Sequence, residues 1–246
     1  MGRVMSSPTD AVQNRARRAY RCPSAWVVLL LVLSLGLTVD LWSKQWAFSH
    51  VGGGMSLAEI ENSDDRAPPL REYRQTALPW GLLDFSLVKN FGAVFGIGTN
   101  QRWFFVVFTA LALSAGLFVF GRFTSGRHHL AHLAIGLILA GGGGNLYDRF
   151  VFHYVRDFLH MLPDLRLPFG WHWPGGGSSP NPGLFPWVFN VADMMLLTGM
   201  VLLMLHINRV EKRRKHAQAA QETAGGEGGG RNARDAAADR GPVEAS

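Results

Sequence analysis

Apolar positions in this chain come as long runs rather than as the i, i+3, i+4 stripe of a helix resting on a soluble core. Four runs stand out: 26–39, continuing through Leu41 and Trp42 to Phe48; 103–120; 130–139, running into 141–145; and 188–207. At a rise of ~1.5 Å per residue, about 20 residues cross a hydrocarbon core of ~30 Å. Each run with its flanks therefore predicts a membrane-spanning helix, over about 26–48, 103–121, 130–149 and 188–207. The third is the most dilute, and Gly142 and Gly143 are expected to loosen it. Period-two alternation at 83–88 predicts a strand lying at the membrane surface. The expected fold class is an all-α membrane protein: four transmembrane helices with a small outward-facing β/loop region at the membrane surface.

Charge then orients the spans. Charged residues are only 17% of the chain, and the net charge of +6 is concentrated beside the runs. Arg15, Arg17, Arg18 and Arg21 precede the first; Arg122 and Arg127 separate the second from the third; Arg209, Lys212, Arg213, Arg214 and Lys215 follow the fourth. Positive residues mark the cytoplasmic side, so both termini and the middle loop are expected there, with 49–102 and 150–187 facing outward. Because every basic cluster abuts a span, no nucleic-acid partner is expected. The first run is too long for a cleaved signal peptide, lacks a small-x-small cleavage site and ends in Asp40 and Lys44. The single cysteine, Cys22, excludes an intramolecular disulfide.

Three regions follow: a disordered basic cytoplasmic leader (1–24), a four-span domain (25–208) and a disordered cytoplasmic tail (209–246) rich in Ala, Gly, Glu and Arg. The outward loop 52–80 is polar, with one short helix expected near 57–62. The second outward loop, 163–186, is rich in Gly and Pro, and Trp171, Trp173 and Trp187 suit a headgroup belt.

Ionisable side chains beside such runs are costly and by default mark function. Four polar groups lie at the predicted outward ends of the spans. Asp40 and Lys44 stand i, i+4 and can pair on one helical face, as a snorkelling structural pair or as part of a site. Asn90-Phe91-Gly92-Ala93-Val94-Phe95-Gly96 offers an amide beside small residues that let a backbone approach a ligand. Gly144-Asn145-Leu146-Tyr147-Asp148-Arg149 is followed by Val155-Arg156-Asp157-Phe158. Asp148 beside Arg149 suggests a scaffold pair, although Asp157 also has an adjacent Arg156, so adjacency does not separate the two acids. Phe189-Asn190-Val191-Ala192-Asp193 opens the fourth run, and Asp193 has no basic neighbour in sequence.

Taken in order, Asp-x-x-Ser-Lys, Asn-x-Gly-Ala-x-Phe-Gly, Gly-Asn-x-x-Asp-Arg, Val-x-Asp-Phe and Phe-Asn-x-Ala-Asp resemble the motif set of the lipoprotein signal peptidases, over about 26–208. The resemblance implies a bacterial inner-membrane aspartic endopeptidase that removes the signal peptide of prolipoproteins before the diacylglyceryl-modified cysteine. It implies Asp157 and Asp193 as the catalytic pair. Asp40, Lys44, Asn90, Gly92, Gly144, Asn145, Asp148, Arg149, Asn190 and Ala192 would shape or hold the site. The expected partners are the lipid-modified precursor and membrane lipid, with the enzyme a monomer and no metal or cofactor required. The long loops and the tail depart from the family's pattern.

Two carboxyls sharing one proton supply both a base for water and an acid for the leaving group, because neighbouring like charges do not both ionise readily. Asn190 and Asn145 are expected to hydrogen-bond the oxyanion. Other chemistries fit less well. A presenilin-like protease matches Tyr147-Asp148 but lacks its Gly-x-Gly-Asp partner, and His128-His129-Leu130-Ala131-His132 lacks the glutamate of His-Glu-x-x-His. A non-enzymatic proton relay would need its acids strung through the bilayer rather than gathered at one face.

Overall fold

The computed structural model describes residues 18–51, 74–92, 101–165, 184–185 and 187–238, with side chains through 218. Helices α1 (Pro23–His50), α2 (Arg102–Phe123), α3 (His129–Val151) and α4 (Val191–Ala238) account for most of them. Four candidate spans, Pro23–His50, Arg102–Phe123, His129–Val151 and Val191–Gln218, are long and apolar enough to cross a bilayer. Pro23 sits in the first turn of α1, where its missing N–H costs nothing.

The most dilute run makes the best-packed helix. About 61% of the α3 span is buried, against 6% of α2, 22% of α1 and 17% of the fourth. Glycines explain this: Gly142, expected to loosen the helix, leaves room for the Leu113 side chain, whereas Gly143 makes no such close approach. A Cβ on Gly141 would strike the Ala192 carbonyl oxygen, and one on Gly144 would strike the Asp40 carboxylate. Small residues let helices approach closely where no hydrophobic force drives them together. α2, by contrast, leaves Phe104, Phe108, Leu111 and Phe118 exposed, a surface suited to lipid.

Strands β1 (Arg74–Leu78), β2 (Leu83–Asn90), β3 (Val155–Met161) and β4 (Val188–Phe189) form an antiparallel sheet in the order β1-β2-β3-β4. The strand expected at 83–88 is β2, and the other three are additions. β3 pairs through Val88 with Asp157 and through Asn90 with Val155, so both polar residues lie on adjoining strands. A cluster of Ala47, Phe48, Val51, Leu87, Tyr154, Phe158 and Leu159 fastens the sheet to the end of α1.

Several boundaries shift. Residues 188–189 pair with β3 instead of opening the fourth span, because the helix starts only after its cap at Asn190. The leader's last residues are ordered: Ala19–Arg21 form a 3₁₀ turn, and the Ala19 N–H donates to the Thr124 carbonyl at 3.0 Å. By contact the chain divides into two units, Met1–Leu202 and Leu203–Ser246. In the second, helix continues to Ala238 where a disordered tail was expected. Ala, Glu, Gln and Arg favour helix locally, whereas Gly225, Gly226, Gly228, Gly229 and Gly230 within it disfavour it by about 1 kcal/mol each. The helix expected near 57–62, Trp171 and Trp173, and Ala93 to Gly96 lie outside the described residues.

Candidate active site

Asp157 lies mid-way along β3 and is 2% exposed. Each of its carboxyl oxygens accepts one amide: Oδ1 from Asn190 Nδ2 at 2.6 Å and Oδ2 from Asn90 Nδ2 at 2.9 Å. Asn90 is itself held by the Gly92 N–H, which donates to its Oδ1 at 3.0 Å. Burial pushes the Asp157 carboxyl up to about 8, and the nearby charge of Asp193 adds to the rise. The two amides and the Lys44 ammonium pull the other way without overcoming burial.

Asp193 sits in the first turn of α4 and completes a capping box. Its N–H donates to Asn190 Oδ1, and its Oδ2 accepts the Asn190 N–H, both at 3.1 Å. Its Oδ1 accepts from Asn145 Nδ2 at 2.9 Å. Asn190 therefore touches both aspartates, one from a strand and one from a helix, and its remaining side-chain hydrogen goes to Asn145 Oδ1 at 3.2 Å. Both amide hydrogens of Asn190 are spent in this way. The oxyanion role expected of it is not available in this arrangement, and the visible task of the two asparagines is to hold the carboxylates.

Beneath the pair lies a buried ionic layer. Lys44 is wholly buried and reaches Asp40 Oδ2 at 2.8 Å, Asn145 Oδ1 at 2.9 Å and Asp148 Oδ2 at 3.3 Å. It does not snorkel: its three donors are used inside the protein. Asp40 Oδ1 accepts the Ala192 N–H at 2.9 Å, so a carboxylate from α1 satisfies an otherwise free donor at the positive end of α4. Gly144 leaves the room for it.

The expected Asp148–Arg149 pair is not formed. Asp148 faces Arg156, whose Nη2 and Nε donate to Asp148 Oδ1 at 2.8 and 3.2 Å. Arg149, on the next α3 position, turns about 100° away, donating to the carbonyls of Asn145 (3.4 Å) and Gly92 (3.2 Å) and lying over Phe105. Adjacency in sequence misled because neighbouring helix residues do not share a face.

All twelve residues that the motifs single out thus join one network, Gly92 and Ala192 through the main chain and Gly144 by leaving space. Two further members were not anticipated: Arg156, and Gln45, whose Oε1 accepts from Arg156 Nη1 at 3.2 Å. In charge, four carboxyls (Asp40, Asp148, Asp157, Asp193) meet three cations (Lys44, Arg149, Arg156). The carboxyls thus outnumber the cations by one.

Residues 32–209 match the family model described as Signal peptidase (SPase) II. The chain belongs to the signal peptidase II family. Signal peptidase II enzymes are aspartic peptidases, and the curated relatives agree in name. Lipoprotein signal peptidase of Oleidesulfovibrio alaskensis is 33% identical over 183 residues, 73% of this chain and 94% of the relative. That of Symbiobacterium thermophilum is 38% identical over 133 residues, 54% of this chain and 75% of the relative. Among solved structures, a bacterial membrane enzyme determined in meso at 2.3 Å matches with TM-score 0.52 at 21% identity, covering 74% of this chain and 87% of the other. That likeness supports the fold: a multi-pass helical membrane protein with a small antiparallel sheet. As a signal peptidase II, the chain is a membrane hydrolase of prolipoprotein signal-peptide processing, of the bacterial inner-membrane type.

Proposed function

We propose that the chain is a membrane aspartic endopeptidase that cleaves prolipoproteins immediately before the diacylglyceryl-modified cysteine, with Asp157 and Asp193 activating water. The observation carrying this reading is Asn190, which binds Asp157 Oδ1 and Asp193 Oδ2 at once and so gathers two acids from separate elements. Asp157, deeply buried, carries the proton of the pair, and Asp193 is the carboxylate that takes a proton from water. The water attacks the scissile carbonyl while Asp157 donates to its oxygen. The proton gained by Asp193 then passes to the leaving nitrogen as the carbon–nitrogen bond breaks, a hydroxyl of the tetrahedral diol returns its proton to Asp157 as the carbonyl re-forms, and the pair again holds one proton.

The basic clusters support a topology with both termini and the 122–127 segment cytoplasmic and the dyad at the outer face. There the cysteine's acyl chains remain in the bilayer, and each buried CH₂ contributes about 0.8 kcal/mol of binding. Lipid-modified precursor and surrounding lipid are the partners, and the enzyme acts as a monomer. The test is to incubate the purified chain with diacylglyceryl-modified and unmodified prolipoprotein and follow signal-peptide release. Release from the modified precursor at a far higher rate is expected; equal rates on the two would defeat the substrate assignment.

A further inference from the structure

Arg156 fills the open place in Val-x-Asp-Phe, directly before Asp157, and leaves β3 on the opposite face. Its side chain is 4% exposed. The Nε and Nη2 atoms clasp Asp148 Oδ1, Nη1 reaches Gln45 Oε1, and the main-chain N–H donates to Asp148 Oδ2 at 3.0 Å. The guanidinium also lies 4.1 Å from the Phe152 ring centre. One side chain thereby ties β3 to α3, to α1 and to the turn between α3 and β3.

The tie continues to the other aspartate. Asp148 approaches Lys44, Lys44 holds Asn145, and Asn145 donates to Asp193. The groups facing Asp157 are Asn90 on β2, Asn190 ahead of α4, Asp193 on α4, Lys44 on α1 and Arg149 on α3. Lys89, opposite Arg156 in the ladder, lies over the Tyr154 ring instead. The charges that act on Asp157 come from Asp193, Lys44 and Arg149, and Arg156 is not among them. The charge of Arg156 is absorbed by Asp148, so any influence it has on the pair is one of position.

We infer that Arg156 is a positioning residue of the dyad: through Asp148 and Gln45 it fixes the strand backbone carrying Asp157 at the separation from Asp193 that proton sharing requires. This inference rests on the dyad reading above. Arg156→Lys keeps the charge and one contact to Asp148 but loses the planar fork and the reach to Gln45. The experiment measures cleavage of diacylglyceryl-modified prolipoprotein across pH by the full-length chain and by Arg156→Lys and Gln45→Leu, alongside the folded fraction and Tm of each.

For Arg156→Lys, kcat is expected to fall about tenfold or more with KM within about twofold, since small misplacements of reacting groups cost that much. The alkaline limb of the pH profile should move to lower pH as water reaches a loosened pair. Gln45→Leu, which leaves the Asp148 clasp intact, should show a smaller change of the same sign. Variants whose folded molecules keep the unaltered kcat and pH profile, losing only Tm, would reduce Arg156 to a structural residue and overturn the inference. Absence of cleavage by the unaltered chain would instead overturn the functional reading, and this inference with it.

Discussion

Asn190 and Asp193 exchange hydrogen bonds, each donating its main-chain N–H to the other's side chain at 3.1 Å. The fold thus uses a proposed catalytic carboxylate as the third residue of a helix cap, and the two roles can be separated. Asn190→Ser keeps a cap acceptor but removes the amide that reaches Asp157. Asn190→Ala removes both, at about 0.5–2 kcal/mol for the cap. Activity should be lost in both; Tm should fall in both as the buried amide bonds go, and further for Asn190→Ala, which also loses the cap. Equal loss of Tm in the two variants would show that the cap contributes little.

The dyad itself predicts that Asp157→Asn and Asp193→Asn each abolish cleavage, and that the double variant is scarcely worse than either. Residues acting as one unit are strongly non-additive. Rates of purified, folded variants on lipidated precursor decide this. Near-normal turnover by Asp193→Asn would remove it from the chemistry and leave it only its cap.

The raised Asp157 carboxyl carries a signed consequence for stability. Its ordinary value is 3.8 and its folded value about 8. Between these the unfolded chain has released this proton while the folded chain still holds it. The group's contribution to stability is therefore fully present below 3.8 and lost as pH rises through about 8. Other acids titrate too, so the informative quantity is the difference from Asp157→Asn. Relative to that variant, the unaltered chain should lose Tm steadily from pH 4 to 8 in detergent, at about 2–4 °C per kcal/mol. A constant difference in Tm across that window would mean that Asp157 is not held protonated.

The spans were legible because hydrophobic run length is a direct physical requirement of a bilayer, and the polar positions of the network because such groups stand out against these runs, while the choice of Asp157 and Asp193 among the acids rests on the resemblance. The central place of α3 was hidden in its glycines, which read as weakness until Ala192 and Asp40 are seen occupying the space they leave. β3 was not anticipated: Val155–Met161 lies between a helix end and a Pro-rich loop, and only its partner β2 organises it as a strand. Arg156 was read as a neighbour of Asp157, whereas strand geometry sends consecutive side chains to opposite faces. The pairing of Asp148 with a residue eight positions on could not be read from the helix pattern, since it depends on the turn that brings β3 back across α3.

The proposed topology rests on the basic clusters and is checked by labelling. With Cys22 replaced, a cysteine at Trp80, which is 91% exposed, should react with an impermeant reagent from outside the cell. One at Ser125, in the segment between α2 and α3, should react only after permeabilisation. Labelling of Ser125 alone from outside would invert the orientation and move the site to the cytoplasmic face.

Asp148 supplies a test of the rewired ion pairs. Its carboxylate directly contacts Arg156 and Lys44, both buried, whereas the Arg149 guanidinium serves main-chain carbonyls and Phe105 and meets Asp148 only through charge. Asp148→Asn leaves two buried cations short of a counter-charge, a loss on the order of 3–5 kcal/mol. Less folded protein and a large fall in Tm are expected, more than a slower rate per folded molecule. Stability cycles then distinguish the partners. Asp148→Asn with Arg156→Gln should couple by about 0.5–3 kcal/mol, because each removes the same clasp, whereas Asp148→Asn with Arg149→Gln should couple more weakly, since those two meet only through charge. Unfolding by a denaturing detergent measures all five variants. Strong coupling to Arg149 and none to Arg156 would restore the pairing that sequence adjacency suggests and break the link from Asp148 to the strand of Asp157.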